Sequence, residues 1–203
     1  PCTMPRRTSA ADATPVRVVI VTLDTHFGSA MERAADTLRK EVPGLDVRWH
    51  AASEWGNDPA ALARCHADIA QGDIVLAAML FLEDHVQAVL PQLLARRAEC
   101  DAMIGCMSAG EIIRLTRIGR FDMSKPESGA LAWLKRLRGS KGNGTSSGAK
   151  QLAMMKRIPR LLRFVPGTAQ DVRSYFLVLQ YWLAGSEDNL ANLLRHLVTR
   201  YAD

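Results

Sequence analysis

The stretch "VRVVIVTLD", Val16 to Asp24, decides the fold. It is an almost unbroken run of β-branched residues with the length and composition of a strand buried on both faces, and such strands belong to parallel sheets. The neighbouring segments agree. "GSAMERAADTLRK" sets Met31, Ala34, Ala35 and Leu38 at helical spacing, and Pro43-Gly44 ends that helix. "LDVRWHA" alternates Leu45, Val47 and Trp49 as a second strand, and "NDPAALARCHADIAQG" supplies a helix with Asp58 as N-cap, Pro59 at its first position and Gly72 past its end. "DIVLAAMLF" reads as a third buried strand. "EDHVQAVLPQLLARRAE" reads as a helix that Pro91 either kinks or divides, and "DAMIGCM" as a fourth strand. Strands alternating with helices of this length specify βαβ units. The expected fold is therefore α/β: a four-stranded parallel, flavodoxin-like sheet over residues 15–119 with helices on both faces.

Beyond the fourth strand the pattern is helical only. "SAGEIIRLTRIG" has Ser108 and Glu111 at capping-box spacing, with Ile112, Leu115 and Ile118 facing inward and Gly119 as the stop. Residues 120–203 read as a basic all-helical extension interrupted by a flexible glycine-serine loop at 139–148, and the Pro/Thr/Ser-rich start, 1–14, has a composition that does not order alone. In "VRSYFLVLQYWLAGSEDNL", Val172 to Leu190, Val172, Tyr175, Phe176, Leu179 and Leu183 form one apolar stripe and Gly185 is a left-handed C-terminal residue. Ser186 then caps a last helix whose stripe is Leu190, Leu193, Leu194, Leu197, Val198 and Tyr201. Tyr181 and Trp182 fall on the flanks of this helix hairpin. Packing explains them, and a platform for a flat ligand is the competing reading.

With 48% hydrophobic residues the chain of 203 can bury a sizeable core. Its apolar runs fall short of the roughly 20 residues a bilayer span requires, and no basic-then-apolar leader opens it, so a soluble, cytoplasmic protein is expected. Cys2, Cys65, Cys100 and Cys106 contain no C-x-x-C pair, which disfavours a zinc ribbon and leaves reduced, mostly buried thiols. Pro1 in place of Met, and an amphipathic pattern that runs to Asp203 without a stop, suggest a piece of a longer chain.

Ligands of open parallel sheets bind beyond the carboxyl ends of the strands. Those ends carry Asp24, Thr25 and His26 after the first strand, Glu83, Asp84 and His85 after the third, and Ser108 after the fourth. Such groups can act as acid and base or hold a cation, although caps and solvated loop residues look the same in sequence. A single glycine, Gly28, stands where a dinucleotide fingerprint requires three, and "GSKGNGT" lacks a P-loop ending. The five histidines form no paired signature, so no catalytic or metal-binding residue is assigned.

Of the 26 Lys and Arg residues, thirteen lie between Arg114 and Arg163, against Asp122 and Glu127 alone. Lys135, Arg136, Arg138, Lys156, Arg157 and Arg160 form a basic surface suited to an acidic partner. With only Phe121, Trp133 and Phe164 to stack on bases, the segment makes a poor nucleic-acid platform.

Four landmarks, "VVIVTLD", "LFLED", "MSAGEIIRLTRIGRFDMS" (Met107 to Ser124) and "AQDVRSYFLVLQYWLAGSEDNLANLL" (Ala169 to Leu194), together resemble the amino-terminal region of the large H subunit of magnesium chelatases. The related cobalt-inserting large subunit of cobalamin synthesis is the nearest competitor, and "QYWLAGSEDNL" looks more like the magnesium enzyme. The resemblance implies a parent subunit that binds protoporphyrin IX while an AAA+ ATPase (I) and a D subunit use ATP to drive Mg²⁺ insertion toward chlorophyll or bacteriochlorophyll. It implies no catalytic residue on this stretch. It does make Tyr181 and Trp182 candidates for contact with a flat porphyrin, beside the strand-end candidates Asp24, His26, Glu83 and Ser108, and the basic surface a candidate contact for the parent body or a partner subunit. A binding module with a basic arm for nucleic acid, and a small enzyme using the strand-end carboxylates, are the alternatives from other classes.

Overall fold

The structure, a computed structural model, describes residues 15–125 and 167–202. Its sheet has six strands in the order β2-β1-β3-β4-β5-β6. β1 (Val16–Thr22), β2 (Leu45–Ala51), β3 (Ile74–Ala78) and β4 (Ala102–Cys106) run parallel, as the β-branched runs predict. β5 (Arg117–Ile118) and β6 (Phe121–Asp122) add an antiparallel hairpin, so the sheet is mixed rather than four-stranded and parallel.

Strand alternation divides the core in two. Val16, Val18 and Ile20 of β1, Ile74 and Leu76 of β3 and Ile104 of β4 face one layer, which contains α1 (Gly28–Arg39), α5 (Thr168–Ala184) and α6 (Glu187–Tyr201). Val19, Val21, Val75 and Met103 face the other, made by α2 (Pro59–Gln71), α3 (Glu83–Arg96) and the short α4 (Gly110–Ile113). Helices therefore cover both faces. α5 and α6 do not stand apart from the sheet: α1 is too narrow to cover its face alone, and the Leu190, Leu193, Leu194 and Leu197 stripe of α6 completes the layer.

Local signals hold where the cap chemistry is unambiguous. The Asp58 carboxylate accepts from the Ala60 amide at 2.9 Å with Pro59 opening α2, Gly185 closes α5 at φ +63°, and Ser186 accepts from the Asn189 amide at 3.3 Å to open α6. Pro91 is accommodated inside a single α3.

The chain after β4 departs from expectation. No capping box forms at Ser108 and Glu111: α4 is four residues long, starts after Ala109 and gives way to a strand rather than to a helix ending at Gly119. Ile112, Leu115 and Ile118 are buried as expected, because spacing of three satisfies a turn followed by a strand as well as a helix. Gly119, at φ +54°, instead turns the β5–β6 hairpin, where a Cβ would lie 2.6 Å from the Asp171 carboxylate that accepts from the Arg120 amide. The stripe of α5 is also shifted, with Trp182 inside and Leu183 outside. The basic residues Lys135, Arg136, Arg138, Lys156, Arg157 and Arg160, the start at 1–14 and the loop at 139–148 lie outside the described residues.

α6 also carries a titratable group whose protonation opposes folding. Burial holds the pKa of His196 down at about 4, and the charges of Arg200 and Arg173 push it the same way. In an unfolded chain the imidazole titrates near its ordinary value of about 6.5, so only the unfolded state takes up the proton between those values. Stability is then fully present above about pH 6.5 and falls as the pH drops toward 4, by up to about 3 kcal/mol. Unfolding free energies measured across pH 4–7 should show that slope, and His196→Leu should flatten it.

Candidate functional site

The carboxyl ends of β1 and β3 diverge at the point where the strand order reverses, β1 having been joined first to β2 and the chain then returning to β3 on its other side. A crevice of about 250 Å³ opens there, lined by Thr22, Leu23, Asp24, His26, Phe27, Met79, Met107, Trp182 and Leu183. Three segments build it.

The turn between β1 and α1 forms one wall. The Asp24 carboxylate accepts from the His26 amide at 2.9 Å, an Asx turn that lifts His26 into solvent and directs Phe27 inward. The Phe27 ring meets Trp182 edge-on at 5.8 Å and lies on Gly185, where an added Cβ would come within 2.6 Å of it. Gly185 is thus needed twice, for its left-handed backbone and for the room it leaves.

The floor comes from the ends of β3 and β4. Met79 and Met107 both have positive φ, +64° and +45°, which costs a non-glycine residue about 1–3 kcal/mol each. Their turns zip the two strand ends together. The Met79 amide donates to the Met107 carbonyl at 3.0 Å, the Leu80 amide to the Ser108 hydroxyl at 3.0 Å, and the Ala109 amide to the Leu80 carbonyl at 2.8 Å. The Ser108 hydroxyl in turn donates to the Cys106 carbonyl at 3.0 Å. Strain of this kind persists only where surrounding bonds fix it, and here it presents two flexible, polarisable thioethers at one opening.

The end of α5 supplies the remaining wall. Trp182, 2% exposed, stacks on Trp49 with centroids 6.0 Å apart and planes at 15°, so one of its faces is already occupied. Leu183 is 44% exposed, and Phe81 and Leu82, immediately beyond β3, are 54% and 58% exposed. Large apolar side chains therefore stand in water at the same end of the sheet.

Of the candidate residues, Asp24, His26 and Trp182 come together in the crevice. Tyr181 packs half-buried against the main core and does not line it. Glu83 is exposed in the first turn of α3, where its charge suits the helix dipole. The Ser108 hydroxyl is spent on two backbone groups. Phe27, Met79, Met107 and Leu183 line the crevice without having been candidates. Phe27 adjoins a named residue, whereas nothing in "LAAM" or "IGCM" announces a left-handed methionine.

Other groups resolve into structure. His66 lies 2.7 Å from the Ala88 carbonyl, Arg117 donates to the Arg97 carbonyl at 3.0 Å and to the Cys100 carbonyl, and Phe121 is buried. Burial pushes the thiols of Cys65 and Cys106 up to about 12, with Asp68 adding to the effect at Cys65, so both are inert at neutral pH. Among the described residues no group of three or more His, Cys, Asp or Glu is placed to hold a metal ion, and no helix is long and apolar enough to cross a membrane.

Comparison with known proteins extends this picture. The chain is 47% identical over 186 residues to the magnesium-chelatase H subunit of Rhodobacter capsulatus, which covers 92% of this chain and 16% of that protein. It is 47% identical over 185 residues to the magnesium-chelatase H subunit of Cereibacter sphaeroides, covering 91% and 16%. It is also 28% identical over 190 residues to the chloroplastic magnesium-chelatase ChlH subunit of Oryza sativa subsp. indica, covering 92% and 14%. The chain thus spans about a sixth of the length of these relatives. The model of one family, described as "Domain of unknown function (DUF3479)", matches residues 17–176, more than half of the chain, and the chain belongs to that family.

Proposed function

We propose that the chain is the amino-terminal domain of the porphyrin-binding large subunit of a magnesium chelatase. That enzyme inserts Mg²⁺ into protoporphyrin IX in chlorophyll or bacteriochlorophyll synthesis, in the cytoplasm, with ATP hydrolysed by its I and D partners. The observation that carries the reading is 47% identity sustained over 92% of the chain. The matched relatives are magnesium chelatases, which favours magnesium over the cobalt-inserting alternative.

Insertion requires two pyrrole protons to leave and a strongly hydrated Mg²⁺ to shed water. Among the described residues that line the crevice, Asp24 is exposed and engaged in a turn and His26 is exposed, so we do not assign that work to either. The domain's part is positional. Drug-sized ligands occupy pockets of roughly 300–1,000 Å³, so a crevice of about 250 Å³ suits one edge of a macrocycle rather than the whole disc. Phe27, Met79, Met107 and Leu183 offer apolar, polarisable contact to such an edge. Phe81, Leu82 and Leu183 form the apolar face that the domain turns toward the porphyrin-holding body, as a scaffold or gate over it.

The test is Phe81→Asp/Leu82→Asp in the full-length subunit, assayed with its ATPase partners. Both side chains are more than half exposed, so the melting temperature should move little. The rate of Mg²⁺ insertion should fall at least about tenfold, corresponding to about 1.4 kcal/mol of lost positioning. Unchanged insertion would remove the exposed Phe81 and Leu82 side chains from the function.

A further inference from the structure

The two edges of the sheet are built differently. At one end the hairpin strands β5 and β6 are two residues long. At the other, β2 runs for seven residues in unbroken one-to-one register with β1, from Val16 opposite Leu45 to Thr22 opposite Ala51, with no bulge and no proline. Folded proteins blunt exposed edges with short strands, bulges or prolines, because a long regular edge is a template for another strand. β2 has none of those three devices; its charged side chains, Asp46 and Arg48, are paired with each other at 2.9 Å.

Its free hydrogen-bonding groups can be identified. The Val16 amide donates to the Gly44 carbonyl at 2.9 Å, and in a parallel pair alternate residues address the same neighbour, so Asp46, Arg48 and His50 bond toward β1. Leu45, Val47 and Trp49 point the other way. Leu45 is satisfied locally, its amide by the Val42 carbonyl at 3.1 Å and its carbonyl by Arg39 Nε at 3.2 Å. The backbone N–H and C=O of Val47 and Trp49 have no partner among the described residues. The buried indole N–H of Trp49, at the same edge, has none either.

A groove flanks this edge on each face of the sheet. On the α1 side a space of about 430 Å³ has Met31, Ala35, Val47 and Trp49 at its base and Glu32 and Asp36 at its rim. On the α2 side a space of about 240 Å³ is lined by Arg48, His50, Trp55 and Arg64 together with the acidic Glu54 and Asp68. A strand sends successive side chains to opposite faces, so one laid along β2 would place alternate residues in the two grooves.

We propose that β2 is completed by an extended segment of the same, longer subunit, which adds a seventh strand to the sheet. Its backbone bonds Val47 and Trp49, its apolar residues enter the α1-side groove, and its polar residues meet Arg48 and Arg64. The occupant is in cis because this chain makes up 16% of the relatives' length, so most of such a polypeptide lies elsewhere and is tethered at high effective concentration. The inference rests on the chain being part of that subunit, but not on the crevice.

Hydrogen–deuterium exchange with residue-level fragmentation, on the full-length subunit alone, tests it. The amides of Val47 and Trp49 should exchange as slowly as those of Arg48 and His50, which face β1, and at least about tenfold slower than amides of the exposed Asp24–His26 turn. That protection should not change across a hundredfold dilution. Exchange at the turn's rate would overturn the proposal, and so would protection that disappears on dilution, which would make a second copy the occupant. Mg²⁺ insertion is not read, so this result and that of the Phe81/Leu82 variant fail separately.

Discussion

Adding one methyl group, Gly105→Ala, is expected to remove much of the stability of the domain. Gly105 lies in β4, in the centre of the sheet, where α4 crosses so closely that a Cβ would sit 2.1 Å from the Ile112 carbonyl oxygen and 2.7 Å from its carbon. Both are backbone atoms, so no rotamer change relieves the clash, and the strand or α4 must move. Neither can move cheaply. The hairpin reaches β4 only at Ala102 and Met103, so the outward N–H and C=O of Gly105 are satisfied instead by the buried Thr116 hydroxyl, at 3.0 and 3.2 Å. The same carbonyl accepts the Tyr175 hydroxyl at 3.1 Å. Displacing β4 therefore breaks several buried hydrogen bonds together, each costing about 1–3 kcal/mol when a partner is left unsatisfied. The total should exceed about 4 kcal/mol, much of a domain's usual 5–15 kcal/mol. Urea unfolding of the variant beside the parent chain measures it. A loss under about 1 kcal/mol would mean that α4 is free to retreat. Thr116→Val, which leaves the Gly105 amide buried without its acceptor, should cost about 1–3 kcal/mol by itself.

The same neighbourhood separates what the sequence can convey from what it cannot. The four parallel strands and α1, α2 and α6 are legible because each follows one period over a whole element. The expected Met31, Ala34, Ala35 and Leu38 are the buried residues of α1. The stretch from Ser108 to Asp122 misleads because its apolar residues recur every three, which a helix, a turn or a short strand can all satisfy, and the arbiter is tertiary. Thr116 replaces a missing ladder partner, and Asp171, 51 residues away from Arg120, fixes the hairpin turn. The candidate site is half legible for a related reason. Its location follows from strand order, which the alternation of elements supplies, so Asp24 and His26 can be named. Its floor depends on left-handed backbone at Met79 and Met107, and methionine carries no signal for that conformation.

Tyr181 and Trp182, adjacent in sequence, are expected to respond very differently to truncation. A helix turns by about 100° per residue, so neighbours cannot both occupy the centre of one buried stripe. Trp182 does, with its ring between Trp49 and Phe27, and Trp182→Ala should cost about 3–5 kcal/mol in unfolding free energy. Tyr181 packs at the margin of the core, and Tyr181→Ala should cost about 1 kcal/mol. A ligand platform predicts the reverse emphasis, with both substitutions tolerated by the fold and both felt in porphyrin binding. Denaturant unfolding of the two variants, with a protoporphyrin titration of Tyr181→Ala in the full-length subunit, separates the cases. A stable Trp182→Ala would show that the Trp49 stack contributes little and that the indole is available to a ligand. The structure favours the opposite outcome, since Phe27, Gly185 and Trp49 are shaped around that ring. Trp182 then acts on any ligand through Phe27, by holding the wall of the crevice in place.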